Sequence, residues 1–272
     1  MRILVTNDDG IDSTGLHVLA RALVPLGDVV VVAPDREYSG FGAALGTLHT
    51  MQPEVHEERI EGVPEAWAVT AAPAMCVFFA RLGVFGDVDL VVSGINPGIN
   101  VGRALYHSGT VGAALTARNG FMHGLAISQA VTGHGVEGQG WDEMLVGQHW
   151  ETAASVAAEA ASGLLASPPS QPVVVNINVP NCESHEISGW RHADIGTIPP
   201  RTVARARLLP KEGHHGAHHV EMDWGDARDL PSETDGGTVE EGMVAVSYIS
   251  AFVHEPNVEL ESMEEALTTF LE

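Results

Sequence analysis

Residues 1–15, MRILVTNDDGIDSTG, decide the fold that we predict for this chain. Residues 3–5 form the short apolar run expected of a strand that is buried on both faces. The run stops at the polar segment 7–10, and beyond Ser13 apolar residues recur at helical spacing. The order is therefore strand, acidic turn and helix, which is how a sheet covered by helices begins.

The acidic turn places two adjacent carboxylates, Asp8 and Asp9, directly after the first strand. In an open α/β sheet, ligands bind beyond the carboxyl ends of the strands. Adjacent carboxylates repel each other unless a cation lies between them or one of them is protonated, and oxygen ligands suit Mg²⁺ or Mn²⁺. A solvated turn with side-chain capping is the alternative for an Asp-Asp-Gly taken alone.

The composition is that of a globular protein with a strongly acidic surface. The 272 residues are 44% hydrophobic and carry a formal net charge of −23, which disfavours nucleic acid and anionic membranes as partners. An anionic substrate would need a bound cation to attract it. Lys211 is the single lysine among 13 basic residues, a pattern that resembles proteins of salt-loving microbes.

We expect a cytoplasmic protein. No apolar run reaches the ~18 residues that a membrane span needs, and no charged leader with an apolar segment opens the chain. Two cysteines, Cys76 and Cys182, do not make a disulfide framework.

Strand and helix patterns alternate along the first 180 residues, which predicts an α/β fold with a doubly wound, mostly parallel sheet. Strands are predicted at residues 3–5, 29–33, 67–70, 89–92, 125–128 and 173–179. Helices are predicted from residue 16, at 73–82, from 108 and at 141–165, with a hairpin-like excursion within 43–62 and a glycine-rich loop at 132–140.

The composition changes after Pro180. Residues 183–238 are polar, charged and rich in Gly, His and Pro, which indicates long hairpins or a projecting arm. A late strand is predicted at residues 244–248 and an acidic terminal helix at 258–271. We therefore divide the chain into a catalytic core, 1–180, and an arm, 181–272, whose late strand returns to the core.

Oxygen-bearing side chains follow three of the predicted strands. Asp8 and Asp9 follow the first, Ser39 the second and Asn96 a later one. The carboxyl ends of neighbouring parallel strands lie side by side, so these four groups can converge. Completed by waters, they would make an octahedral Mg²⁺ or Mn²⁺ site with Lewis-acid character.

A second feature beside this site suits an anion. Ser108, Gly109 and Thr110 open a helix, whose free N–H groups and dipole favour negative charge. A metal next to a helix N-terminus indicates a phosphate site. The chain has no Walker A loop, and Gly40-Phe41-Gly42 is too short for a dinucleotide fingerprint. A phosphomonoester is therefore a better candidate substrate than the substrate of a kinase or of a dehydrogenase.

Several blocks together resemble the signature of the SurE family, the survival-protein nucleotidases. These blocks are Asn-Asp-Asp-Gly at 7–10, Ala-Pro-Asp-Arg at 33–36 with Ser39-Gly40, Val-Ser-Gly-Ile-Asn at 92–96 with Gly98 and Asn100, Ser-Gly-Thr-Val-Gly-Ala-Ala at 108–114, Val-Asn-Ile-Asn-Val-Pro at 175–180, and Thr234-Asp235 with 242–247. The resemblance runs from residue 1 to about 250.

The resemblance implies a metal-dependent phosphatase that acts on nucleoside monophosphates, with short polyphosphate as a further substrate left open. It implies one Mg²⁺ or Mn²⁺ ion per subunit, held by the side chains of Asp8, Asp9, Ser39 and Asn96. The phosphate pocket would be lined by Asn100, Ser108, Gly109 and Thr110, with a backbone N–H from Gly40. It also implies a Rossmann-like core, with a C-terminal arm and helix exchanged between subunits of a homodimer or homotetramer.

Some positions depart from the family pattern in ways that bear on base and sugar preference. Residues 41–45 are mostly apolar, Leu115-Thr116 stands where an acidic residue is common, and His107 replaces the usual tyrosine. His107 has two interpretations, as a proton donor to the leaving oxygen or as a structural histidine. The histidines at 214–219 have spacings that could hold zinc, and a solvated loop is the alternative.

Two mechanisms and one other function remain open from the sequence. Either Asp8 or Asp9 is the general base for a metal-activated water, or Asp8 is a nucleophile that passes through an aspartyl-phosphate. The alternative function is a non-catalytic, nucleotide-binding stress protein.

Overall fold

The computed structural model describes residues 1–46, 50, 52–131, 145–200, 203–226, 228–250 and 261–271. Eleven strands lie in this part of the chain: β1 Arg2–Thr6, β2 Asp28–Pro34, β3 Val55–Glu58, β4 Glu65–Val69, β5 Leu90–Pro97, β6 His123–Gln129, β7 Val174–Val179, β8 Trp190–His192, β9 Val203–Pro210, β10 His218–Trp224 and β11 Val244–Ile249. Its α-helices are α1 Thr14–Leu23, α2 Pro73–Arg81, α3 Gly109–Asn119, α4 Trp150–Ala166, α5 Asp235–Glu240 and α6 Glu261–Leu271.

Nine of these strands form one mostly parallel sheet in the order β3-β4-β2-β1-β5-β6-β7-β11-β8. Strand β1 pairs in parallel with β2 on one side and β5 on the other, so the strand order reverses at β1. Ligands bind at such a switch point, beyond the carboxyl ends of the strands. The structure therefore confirms the predicted α/β sheet and places the end of β1 where a site is expected.

Helices cover both faces of the sheet, and their sequences show why. Helix α1 turns the side chains of Leu16, Leu19 and Leu23 inward at helical spacing, and all three are fully buried. It packs with α4 over one face, whereas α2 and α3 cover the other. Helix α3 is built of small residues, which lets Gly124 of β6 approach so closely that a Cβ there would lie 2.4 Å from the carbonyl oxygen of Ala114.

Local differences from the predicted elements have physical causes. Helix α4 begins at Trp150, later than predicted, because Gly147 adopts a φ of +74° that interrupts a helix, and residues 141–144 lie outside the described residues. The segment 43–62 contributes β3, which pairs antiparallel with β4. The predicted glycine-rich loop at 132–140 and residues 258–260 of the predicted terminal helix lie outside the described residues.

Part of the chain beyond Pro180 adds strands to the main sheet, and part of it forms a separate hairpin and a helix. Strand β11 pairs antiparallel with β7, and β8 pairs in parallel with β11. Strands β9 and β10 form a separate antiparallel hairpin, and the side chains of α6 are exposed. Among the helices of the described residues, none is long and apolar enough to cross a membrane. The division into core and arm, and the exchange between subunits, stay predictions.

Candidate active site

The turn after β1 is shaped by its own asparagine. Asn7 is fully buried, and its side chain both donates to the Gly10 carbonyl oxygen and accepts from the Gly10 N–H, each over 3.2 Å. Gly10 adopts a φ of +105°, which favours glycine, and a Cβ there would lie 3.0 Å from the carbonyl carbon of Arg36. The closed turn holds Asp8 and Asp9 at the end of the strand.

Asp8 lies against the first turn of helix α3. Its Oδ1 accepts from the Thr110 hydroxyl at 2.6 Å, and its Oδ2 accepts from the Gly109 N–H at 3.1 Å. Only glycine fits at position 109, because a Cβ there would lie 2.7 Å from Cβ and Oδ2 of Asp8. The anion at this helix N-terminus is thus a carboxylate of the protein itself, which the dipole and free N–H groups stabilise.

Ser108 begins helix α3 as its capping residue. Its Oγ accepts from the Val111 N–H at 3.1 Å, so it acts as the N-cap of α3. Of the five residues predicted to line a phosphate pocket, Gly109 and Thr110 hold Asp8, and Ser108 caps the helix. Their role toward phosphate stays a prediction.

Asp9 is one of several described residues whose side chain has a buried polar atom without a hydrogen-bond partner. Its Oδ2 is buried and accepts no hydrogen bond. Burial, followed by repulsion from Asp8 and then from Glu37, raises the pKa of Asp9 to about 8. Burial also raises the pKa of Asp8, against the hydrogen bonds from Thr110 and Gly109 that favour its charged form. An orphaned carboxylate oxygen beside a second carboxylate fits a divalent cation.

The other two predicted ligands follow neighbouring strands. The N–H of Tyr38 donates to the Asp8 carbonyl oxygen at 2.7 Å, which brings the turn carrying Ser39 beside the end of β1. Ser39 is exposed. Asn96 lies at the end of β5 and donates its Nδ2 to the Gly98 carbonyl at 2.6 Å, which leaves its side-chain oxygen for a ligand. Both positions are compatible with a shared metal site, and the four-ligand set stays a prediction.

Clusters of three or more His, Cys, Asp or Glu suited to a metal do not occur among the described residues. The predicted site contains two such side chains and completes its set with hydroxyl and amide oxygens, so it differs in kind from a histidine-rich zinc site. The histidine-rich turn between β9 and β10 is not such a cluster. His214 and His215 are exposed in that turn, His218 and His219 are exposed in strand β10, and both interpretations of these histidines stay predictions.

Asn100 is held by side chains that the sequence analysis did not single out. Its N–H donates to Asn178 Oδ1 at 2.8 Å, and its carbonyl oxygen accepts from Nδ2 of Asn176 at 2.9 Å and of Asn178 at 3.0 Å. Its own Nδ2 donates to Ser128 Oγ at 2.9 Å. The alternating asparagines of β7 carried a signal, because polar residues on one face of a buried strand require partners.

Two aromatic side chains, Tyr38 and Phe41, flank Ser39 in the turn after β2. The rings of Tyr38 and Phe41 meet edge to face with 5.2 Å between centroids, and the Arg36 guanidinium lies 5.4 Å from the Tyr38 ring centre. The N–H of Gly42 donates to the His107 carbonyl at 3.0 Å, so this turn is fastened to the segment before α3. Gly40 has a φ of +83°, and a Cβ there would meet nothing within 4 Å, so its backbone is open to a ligand.

Comparison with known proteins identifies the family. The family model described as Survival protein SurE matches residues 3–200 of this chain. The chain belongs to the SurE family. A protein of Acinetobacter baumannii named 5'-nucleotidase SurE is 41% identical over 182 residues, which span 66% of each chain. A protein of the same name from Dehalococcoides mccartyi is 34% identical over 272 residues, 98% of this chain and 95% of its own length.

The fold of this SurE-family chain also matches a solved structure. The crystal structure of the SurE protein from Aquifex aeolicus superposes with a TM-score of 0.73, at 26% identity and with all of both chains covered. The family resemblance inferred from the sequence blocks is confirmed, and so is the mostly parallel α/β architecture.

Proposed function

We propose that this chain is a metal-dependent phosphoric monoester hydrolase that releases phosphate from nucleoside monophosphates. The observation that carries the proposal is the Asp8–Asp9 pair at the strand-order reversal, in which one carboxylate is fixed by α3 and the other keeps a buried oxygen without a partner. Membership of a family whose relatives are named 5'-nucleotidase supports the substrate class.

The metal would be one divalent ion per subunit, Mg²⁺ or Mn²⁺, held by side-chain oxygens of Asp8, Asp9, Ser39 and Asn96. When bound, such an ion supplies a Lewis acid that polarises the phosphoryl group and lowers the pKa of water. The protein contributes the geometry, because Thr110 and Gly109 fix both oxygens of Asp8 and the Asn7 turn fixes the backbone of the pair.

The proposed reaction is direct attack of water at phosphorus. A bond forms between the water oxygen and phosphorus, and the ester bond between phosphorus and the nucleoside oxygen breaks. Asp9 takes the proton of the water with the carboxylate oxygen that does not hold the metal, whereas both oxygens of Asp8 already accept hydrogen bonds. The departing oxygen gains a proton, with the exposed His107 as the candidate donor.

The substrate phosphate would be held by Gly40, Asn100 and the Ser108–Thr110 turn. Gly40 offers an open backbone N–H, and the hydrogen bonds on Asn100 from β6 and β7 keep the approach to the pocket rigid. A small-molecule nucleotide suits this arrangement better than nucleic acid, since the net charge is −23.

The proposed assembly is a homodimer or homotetramer with the arm exchanged between subunits. The hairpin exposes apolar side chains, with 66% of Leu208, 60% of Val220 and 53% of Met222 accessible, and helix α6 exposes 83% of Phe270. Unpartnered apolar faces of this kind are typical of association surfaces. Cytoplasmic location stays a prediction.

The deciding experiment measures phosphate release from AMP with Mn²⁺ by the protein, by Asp9→Asn and by the matched control Asp12→Asn. Asp12 is an exposed carboxylate of the same loop. We expect activity in the protein and the control and its loss in Asp9→Asn. Binding of AMP without phosphate release would instead support the non-catalytic stress protein. With a substrate that is chiral at phosphorus, inversion of configuration would support direct attack of water, and retention would support the aspartyl-phosphate route through Asp8.

A further inference from the structure

Asp235 has no part in the proposed chemistry, yet it is among the most deeply buried charged groups of the described residues. It begins helix α5, and 1% of its surface is exposed. A buried carboxylate is stable only when its oxygens are hydrogen-bonded. Here Oδ1 accepts from the N–H groups of Gly196 and Gly236, each at 3.0 Å, and Oδ2 accepts from the N–H of Gly102 at 2.8 Å.

One of these hydrogen bonds, from Gly102, joins the C-terminal part of the chain to the β5–α3 loop, residues 98–108. Gly102 belongs to that loop, and it is 133 residues from Asp235 in sequence. The same two segments also pack tightly: a Cβ on Gly102 would lie 2.7 Å from the Gly196 carbonyl oxygen, and one on Gly236 would lie 3.6 Å from Cγ2 of Val101. The contact is therefore a fitted interface as well as a set of hydrogen bonds.

The β5–α3 loop carries Asn100 and ends at Ser108, the N-cap of α3. Strand β7 holds the loop at Asn100 through its asparagine side chains and β6 through the Ser128 hydroxyl, and Asp235 holds it two residues later through a carboxylate. Hydrogen bonds to a charged acceptor are stronger than those between neutral groups. Without Asp235, the 3-10 helix at Gly102–Tyr106 would lose this fixed attachment at its first residue.

We infer that Asp235 is a positioning residue, which holds the β5–α3 loop in the geometry that phosphomonoester binding requires. The inference rests on the proposed function, because that function gives the loop its role. Asp235 acts through Gly102 and the loop and does not itself touch the substrate. Residues beyond Pro180 thereby help to set the affinity of the site in the core.

The variant Asp235→Asn tests this link selectively. The side-chain amide keeps one oxygen, which will face the two N–H donors of Gly196 and Gly236, and its NH₂ group will then oppose the N–H of Gly102. The matched control is Thr238→Val. Thr238 is fully buried in the same helix and donates to the Ser232 carbonyl at 3.1 Å, so its loss weakens α5 and leaves the loop attachment intact.

For Asp235→Asn we expect the KM for AMP to rise roughly tenfold while kcat changes by less than about twofold, because a lost charge-assisted hydrogen bond is worth about that factor and the loop acts in binding. The backbone amides of residues 99–108 should exchange with deuterium faster than in the wild type. Mn²⁺ affinity, measured by calorimetry, should not change. Thr238→Val should keep the wild-type KM and the wild-type exchange of that loop.

An unchanged exchange rate of the loop in Asp235→Asn would overturn the inference, as would an equal rise of KM in Thr238→Val. The two proposals fail separately. If the wild-type protein releases no phosphate, the proposed function is wrong, and the exchange comparison still decides whether Asp235 holds the loop.

Discussion

Thr110 donates its hydroxyl hydrogen to Asp8 Oδ1 over 2.6 Å, although the two residues lie 102 positions apart in sequence. Both are buried, with Thr110 fully inaccessible and Asp8 3% exposed. The hydroxyl and the neighbouring Gly109 N–H together fix the plane of the carboxylate. Helix α3 therefore orients the first acidic group of the candidate metal site, in addition to covering the sheet.

The first prediction concerns Thr110→Val, which keeps the shape of the side chain and removes the donor. Outer hydrogen bonds to a metal ligand typically contribute 10–100-fold to metal affinity or activity, so we expect a loss of about that size. Calorimetric titration with Mn²⁺ and phosphate release from AMP measure it. Asp8 would be left with the Gly109 N–H and would be free to rotate.

Thr116→Val is the control for that prediction. Thr116 lies in the same helix, is 8% exposed and donates to the Gly112 carbonyl at 2.7 Å, without contact to Asp8 among its hydrogen bonds. It should retain wild-type metal affinity. Equal losses in the two variants would show that α3 is merely destabilised and that the Thr110 hydroxyl has no specific effect on Asp8.

Only part of this site follows from local sequence. Asp8 and Asp9 were predictable because the strand, the turn and the helix around them are contiguous. The anion that the α3 N-terminus binds was not predictable, because a helix N-terminus attracts any anion. The sequence does not say whether that anion is the substrate or a distant carboxylate. The structure places Asp8 there.

The sequence shows that the asparagines of β7 need partners, but it does not show that their partner is the β5–α3 loop. Asn178 accepts from the backbone of Asn100 across 78 residues, and Asp235 accepts from that of Gly102 across 133. Every residue except proline has a backbone N–H, so the identity of the donor residue does not reveal such a hydrogen bond. The sheet itself was predictable, because buried parallel strands such as β2 and β5 are continuous apolar runs that need no partner to be recognised.

The second prediction uses the raised pKa of Asp9. In the folded protein without metal the pKa of Asp9 is about 8, whereas in the unfolded chain it has its ordinary value of 3.8. Between these values the folded state binds more protons than the unfolded state, so the stability contribution is fully present below the unfolded pKa and is lost as pH rises through about 8. Thermal melts in EDTA from pH 5 to 9 should show this decline.

In Asp9→Asn the melting temperature should decline less with rising pH, because the neutral amide neither titrates nor repels Asp8. The comparison of the two proteins across pH cancels the carboxylates that do not interact with Asp9, and the remaining difference reports on Asp9 and its neighbours Asp8 and Glu37. Adding Mn²⁺ at pH 8 should raise the melting temperature of the wild type more than that of the variant. Parallel pH profiles for the two metal-free proteins would contradict the assignment.

The third prediction concerns the acidic surface. A net charge of −23 spread over 272 residues destabilises the folded state by self-repulsion at neutral pH. Salt shortens the Debye length from about 10 Å at 0.1 M to about 3 Å at 1 M, so we expect the melting temperature at pH 7.5 to rise steadily with KCl over that range.

Because chloride and potassium salts also act on apolar surface, the control is the same series near the isoelectric point of about 4.8. There the net charge vanishes, the repulsion that salt screens is gone, and the increase should largely disappear. A rise of the same size at both pH values would show that salt acts through burial of apolar surface and that carboxylate repulsion does not limit the stability of this chain.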